Sequence, residues 1–179
     1  MENNLLDIIT STKLLGTIIS SDLKWFENTE MIVKKAYQRM LILHRLYSFN
    51  IEDCDMINIY VLYIRSILEQ SCQVWHHTIS EDEVTDIERV QKVACKIILK
   101  NRYTSYPQAL ETLNLETLRD RRNSLCLKFA KKCLKHDKAR HDKNTRDREM
   151  YNVQHARTSR LKDSALPQMQ RMLNADVRK

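Results

Sequence analysis

Between Thr29 and about Tyr47, apolar side chains recur at three- and four-residue intervals. Ile32, Ala36, Met40, Leu43 and Leu46 fall in one stripe, with Lys34, Lys35, Gln38, Arg39 and Arg45 opposite. That period predicts an amphipathic helix. From Asp53 to about Trp75 the chain is apolar nearly all round (Met56, Ile59, Tyr60, Tyr63, Ile64, Ile67, Leu68, Val74), which predicts a central helix. Its Arg65 and Glu69 are four apart, in the less favourable order for a helix pair, so either is expected to have a tertiary partner. Ser80-Glu81-Asp82-Glu83 reads as a capping box that opens a third helix reaching about Lys100. There Val84, Ile87, Ala94 and Ile98 point inward and Glu88, Arg89, Lys92 and Lys96 outward. Gln91 falls on the apolar side and needs a hydrogen-bond partner.

Tyr106-Pro107 starts a short helix to about Leu113, since proline suits a first turn. A fifth helix is expected from Glu116 to about His136. Leu115, Leu118, Leu125, Cys126, Phe129 and Cys133 share its inner face, and Arg121, Lys128, Lys131, Lys132, Lys135 and Lys138 lie opposite. Arg119 and Arg122 fall toward the apolar side, where each needs a carboxylate or helix-end carbonyls, and both read as structural. Beyond Lys138 the periodicity collapses into a charged linker, and Ser164–Leu173 forms a last amphipathic stretch that docks or frays. At the other end, Lys13–Ser20 (K-L-L-G-T-I-I-S) reads as a strand closed by Ser20-Ser21-Asp22. A single strand needs a partner, either the poor candidate Leu5–Thr10 or something outside this chain.

Composition supports the helical reading. One glycine and two prolines in 179 residues are too few for a turn-rich sandwich or barrel, and one glycine excludes the glycine-rich phosphate loops. No run of eighteen apolar residues marks a membrane span, and no basic segment leads into an apolar run as in a secretory signal. Five scattered cysteines (Cys54, Cys72, Cys95, Cys126, Cys133) read as small hydrophobes in a reducing intracellular compartment, nuclear or cytoplasmic.

Charge changes the picture more. Residues 1–118 carry 12 basic and 16 acidic side chains, and residues 119–179 carry 18 and 7, so the net charge of +7 comes wholly from the C-terminal third. That asymmetry points to an anionic partner, and the lysine ridge of the fifth helix suits the phosphate backbone of a nucleic acid. Catalytic signals are weak. The acids Asp53, Asp55 and Glu81–Glu83 sit at helix starts, where they satisfy free N–H groups. His76-His77 reads as a helix-end cap. Cys126, Cys133, His136 and His141 lack the close cysteine spacing of structural zinc. Neither an enzyme nor a cofactor or metal is expected.

Several segments together resemble one family. Lys13-Leu14-Leu15-Gly16-Thr17-Ile18-Ile19 with Leu23-Lys24-Trp25 resembles the K-x-L-G … L-x-W stretch that follows the palm of non-LTR (LINE, jockey-like) retrotransposon reverse transcriptases. Tyr63–Glu69 with Val74-Trp75 is similar to that family's Y-x-x-x-I-R-P-x-L-E-Y helix, with Ser66 and Gln70 in place of proline and tyrosine. Ile87–Lys92 resembles its I-E-x-x-Q-K/R helix, and Tyr106–Arg122 its Y-x-x-A-L-x-x-L-x-L-x-x-L-x-x-R-R run. Arg160 and Ser164–Asn174 resemble its terminal S-A-x-P-Y-x-x-R-L-L-N, with Gln168 for tyrosine.

The resemblance implies the thumb and C-terminal portion of an RNA-directed DNA polymerase whose palm aspartates lie upstream of Lys13. On that reading, Lys13, Leu14, Leu15 and Gly16 belong to a palm-edge motif, and the orphan strand pairs with the missing palm. Residues 1–24 are a palm-edge remnant, 25–137 a thumb-like bundle, and 138–179 a basic linker and tail. The expected fold is mainly α, a bundle of four to five helices with a short N-terminal strand edge and a mobile C-terminal tail. The expected function is non-catalytic, backbone-directed binding of an RNA–DNA template–primer. The competing expectation is a helical protein-interaction module that uses the Leu166–Leu173 tail or a groove left by the palm.

Overall fold

The structure is a computed structural model that describes residues 9–133 and 150–177, apart from 152, 154 and 156. It is mainly helical, with a two-stranded sheet at the N-terminal end. The apolar segment at the N-terminus is not one strand. It folds back at Leu15-Gly16, so that β1 (Ser11–Leu14) pairs antiparallel with β2 (Thr17–Ser20), Leu14 opposite Thr17. Both turn residues have positive φ, 49° at Leu15 and 86° at Gly16, as a tight two-residue hairpin of this twist requires. Glycine accepts that geometry freely and leucine does not, so the pattern K-L-L-G-T-I-I conceals the turn. A tertiary contact secures it. Gln70 Nε2 donates to the Leu15 carbonyl at 3.1 Å, and a Cβ on Gly16 would lie 2.4 Å from that nitrogen. The Ile18 N–H donates to Asn28 Oδ1 at 3.1 Å and ties the hairpin to the first helix.

That helix, α1 (Phe26–Ser48), buries Ile32, Ala36, Met40 and Leu43 as the period predicts. The central segment departs from a single helix. It runs as α2 (Asp53–Ile59), a π-helical stretch over Tyr60–Arg65 and α3 (Ser66–Glu69). It then breaks at Gln70-Ser71 before α4 (Cys72–Trp75). Ser71 has φ 53°, and the Trp75 indole N–H donates to the Gln70 carbonyl at 3.0 Å across the break. A π-helical turn holds more residues than an α-turn, so the buried face shifts along the segment. Tyr60, Ile64 and Leu68 lie in the core, while Tyr63 and Val74, expected inside, are exposed. The Tyr63 carbonyl accepts from Arg39 Nη1 at 2.9 Å.

The third long helix, α5 (Glu81–Leu99), starts at the expected capping box: the Glu83 N–H donates to Ser80 Oγ, and the Ser80 N–H donates to Glu83 Oε2. It packs along α1 and supplies Ile87, Val90, Ala94, Cys95 and Ile98 to the core. A 3₁₀ turn (Lys100–Arg102) leads into α6 (Tyr106–Thr112), with Pro107 in its first turn as expected. The remaining helices among the described residues are α7 (Leu118–Cys133), α8 (Ser159–Asp163) and α9 (Ala165–Val177). The amphipathic end of the chain docks: Met169 and Leu173 of α9 join Ala130 and Tyr151 in a second, smaller core against α7. Met172 packs on the main core, and Leu166 stays exposed. No described helix is long and apolar enough to cross a membrane.

Candidate functional site

Helix α7 carries the lysine ridge, and four contacts fix its position. Its first N–H, that of Leu118, donates to both oxygens of Glu88 on α5 at 3.1 and 3.2 Å, while Thr117 and Asp120 exchange hydrogen bonds across the first turn. Glu88 also accepts from the Tyr106 hydroxyl. It is therefore the anchor of a helix terminus and not the solvated outer residue that its position in α5 suggested. A carboxylate at free N–H groups is favoured by the helix dipole as well as by the bonds themselves. Next, Arg121 Nε meets Glu69 Oε1 at 3.1 Å, and Arg65 reaches the same oxygen at 3.2 Å. Glu69 thus has a local and a tertiary partner at once. Lower down, Cys126 Sγ lies 3.8 Å from the Cys72 carbonyl, and Lys131 Nζ lies 2.6 Å from Asp176 Oδ2 on α9.

The inner face of α7 follows Leu118, Arg122, Cys126 and Ala130, a four-residue ridge. Phe129 and Cys133, expected inside, are exposed, with Phe129 at 42%. A ridge of every fourth residue drifts about 40° per step on a 3.6-residue helix, so the buried line leaves the Phe129 side as α7 passes from α4 to α9. Arg119 is exposed and pairs with Glu81. Arg122 is fully buried: Nε donates to His76 Nδ1 at 3.2 Å, the guanidinium carbon lies 5.8 Å from the Trp75 ring centre, and Nη1 and Nη2 have no hydrogen-bond partner. His76 is thus a buried acceptor for an arginine rather than a helix-end cap, and its Nε2 bonds Asn123 Oδ1 at 2.9 Å. Burial, then the adjacent Arg122 charge, pushes the His76 pKa down to about 4, which keeps the ring neutral. The hydrogen bond shared with Cys72 pulls the Cys126 thiol below the ordinary thiol range, aided by His77 and Arg122, and pushes Cys72 up.

Of the six basic residues assigned to the ridge, Arg121 is half-buried in its ion pair and Lys131 is paired with Asp176. Lys128 and Lys132 are exposed, one turn apart, with no ion pair among the described residues. Lys135 and Lys138 lie outside the described residues, as do His136 and His141. The palm-edge residues Lys13, Leu14, Leu15 and Gly16 form the tip of the hairpin, where Leu15 is 89% exposed. Asp176 and Glu69, which decide how many ridge charges remain available, carried no sequence signal toward α7, being 45 and 52 positions from their partners. Among the described residues no group of three His, Cys, Asp or Glu side chains could hold a metal ion. No family model, curated protein or solved structure matches this chain.

Proposed function

We propose that this chain binds the sugar–phosphate backbone of a nucleic-acid duplex, in the manner of a reverse-transcriptase thumb holding an RNA–DNA template–primer, and that it contributes no catalytic groups. The observation that carries the reading is the pair Lys128 and Lys132: exposed, unpaired among the described residues, and borne on a helix anchored at its start by Glu88 and at its end by α9. A rigid ridge of ammonium groups neutralises phosphates without reading bases, because lysine offers point charges and no planar fork. In this reading the polymerase carboxylates belong to a palm upstream of Lys13, and the free edges of the β1–β2 hairpin face its sheet. The alternative, an interaction module built on the Leu166–Leu173 tail, is less well supported, because Met169 and Leu173 are spent on the chain's own second core.

The test is the affinity for an RNA–DNA hybrid as a function of salt. The logarithmic slope scales with the number of phosphates neutralised, so Lys128→Glu with Lys132→Glu should lower its magnitude by about two. Lys131→Glu alone should do less, since Asp176 already holds that charge. Asp176→Asn should steepen the slope by about one, because it releases Lys131. A slope that ignores all three changes overturns the assignment.

A further inference from the structure

Of the five cysteines, Cys54 and Cys133 are exposed, while Cys72, Cys95 and Cys126 are fully buried. The buried three are not alike. Cys95, on α5, is a core thiol whose pKa burial pushes up to about 12. Cys72 and Cys126 form a pair across the contact of α4 with α7: Cys126 Sγ lies 3.8 Å from the Cys72 carbonyl, and the two thiols share a hydrogen bond. Their surroundings favour ionised sulfur. His77 lies against the Cys126 thiol, and its Nε2 is buried with no hydrogen-bond partner among the described residues. Arg122, whose Nη1 and Nη2 also lack partners there, stands close enough for its charge to favour the thiolate at both positions. Reactive thiols occur in such electropositive settings, whereas a cysteine in apolar surroundings is inert. There is also a way in. His77 is part of the wall of a hollow of about 460 Å³, open to solvent, between the β2–α1 loop, the α4–α5 loop and α8.

We propose that Cys72 and Cys126 are a redox pair that a small hydroperoxide converts to a disulfide, tying α4 to α7. The Cys126 thiolate attacks one peroxide oxygen. An S–O bond forms, the O–O bond breaks, and the departing hydroxide takes up a proton and leaves as water, so that Cys126 becomes a sulfenic acid. That step also activates the second thiol. The largest influence holding Cys72 protonated is its hydrogen bond to Cys126, and oxidation removes it, while Arg122 stays in place. The Cys72 sulfur then attacks the Cys126 sulfur; the S–S bond forms, the S–O bond breaks, and the Cys72 proton leaves with the hydroxide as a second water. Overall the two thiols lose two electrons and two protons, and the peroxide is reduced. Cys72 opens a single-turn helix after the break at Ser71, and Cys126 is 54 positions further along the chain, so the link joins the central segment to the ridge helix. A dithiol reductant reverses it by exchange. The pair acts whether or not the chain binds nucleic acid.

The test uses the full chain with Cys54→Ser and Cys133→Ser, both at exposed positions, whose folding is checked by circular dichroism. It is treated with hydrogen peroxide while folded, its remaining thiols are alkylated in denaturant, and its peptides are weighed. Cys72 and Cys126 should be recovered in one linked peptide and Cys95 as a free thiol, although all three are equally buried. The linked form should have a higher denaturant midpoint, which dithiothreitol returns to that of the untreated chain. Adding Cys126→Ser should leave Cys72 unoxidised, and adding Cys72→Ala should leave Cys126 as a sulfenic acid that dimedone traps. Recovery of Cys72 and Cys126 as free thiols, a link to Cys95 in place of either, or a link that forms only after unfolding overturns the proposal.

Discussion

Two buried polar clusters lie close to a common neighbour, Glu88, which bonds Tyr106 in one and whose charge favours the Arg122 cation in the other, and they are built on opposite principles. Around Gln91 on α5 the bonds form a continuous chain. The Tyr60 hydroxyl donates to Oε1 at 2.7 Å, while Nε2 donates to the Tyr106 oxygen at 3.0 Å and to the Glu116 carbonyl at 2.8 Å. The Tyr106 hydroxyl donates in turn to Glu88, which holds the start of α7. Burial raises the pKa of both tyrosines, so both stay neutral donors. Around Arg122 the chain is open. A fully buried cation meets one neutral imidazole and the face of Trp75, and four of its five N–H groups have no acceptor. The first cluster stabilises because each member would be stranded without the others. The second carries a desolvation cost that its own contacts do not offset.

The largest effect should come from Gln91→Leu. It strands the Tyr60 hydroxyl and the Glu116 carbonyl in the core, a loss of about 4 kcal/mol in denaturant unfolding. Adding Tyr60→Phe should return part of it, and a purely additive double variant would break the idea of a linked network.

Acid should act next, on the open cluster through His76. The folded pKa of His76, about 4, lies below the ordinary 6.5, so the unfolded state takes up the proton first. This share of stability is intact above pH 6.5, falls as the pH drops from 6.5 toward 4, and amounts to about 3 kcal/mol. His76→Gln should flatten the stability profile in that window; an unchanged profile places the acid sensitivity elsewhere.

Smaller still, Arg122→Met should change stability by no more than about 1 kcal/mol in either direction, despite complete burial, since a hydrophobic isostere loses no ion pair. The same change should raise the His76 midpoint, read by NMR, because it removes the neighbouring cation. A loss as large as that of Gln91→Leu would erase the contrast between the clusters. The least change belongs to Lys128→Ala, within about 0.5 kcal/mol, which leaves the ridge free to vary for binding.

How much was legible follows from how local each feature is. The capping box needs only Ser80 and Glu83, three positions apart, and the stripe of α1 needs only the helical period. Gln91 was visible as a polar residue in an apolar line, but its partners at 60, 106 and 116 were not. The hairpin was hidden because its turn places a leucine at positive φ, against intrinsic preference, with a glutamine 55 residues away bonded to that turn. The break at Ser71 was hidden for a similar reason, since neither glycine nor proline marks it. The ridge was legible as a face and illegible as a count of available charges. A period shows which lysines point outward; only folding shows that Glu69 and Asp176 come to meet two of the six.

From the sequence follow a bundle of amphipathic helices, the starts of the long ones, and the concentration of positive charge in the C-terminal third. Those properties follow from spacing along the chain, over which hydrophobic period, capping and charge act at short range. Only folding anchors α7 on Glu88, leaves Lys128 and Lys132 open, and buries Arg122 with no ion pair among the described residues. These depend on which distant groups are brought within a few ångströms, and hydrogen bonds and ion pairs are made or left unmade only at that range.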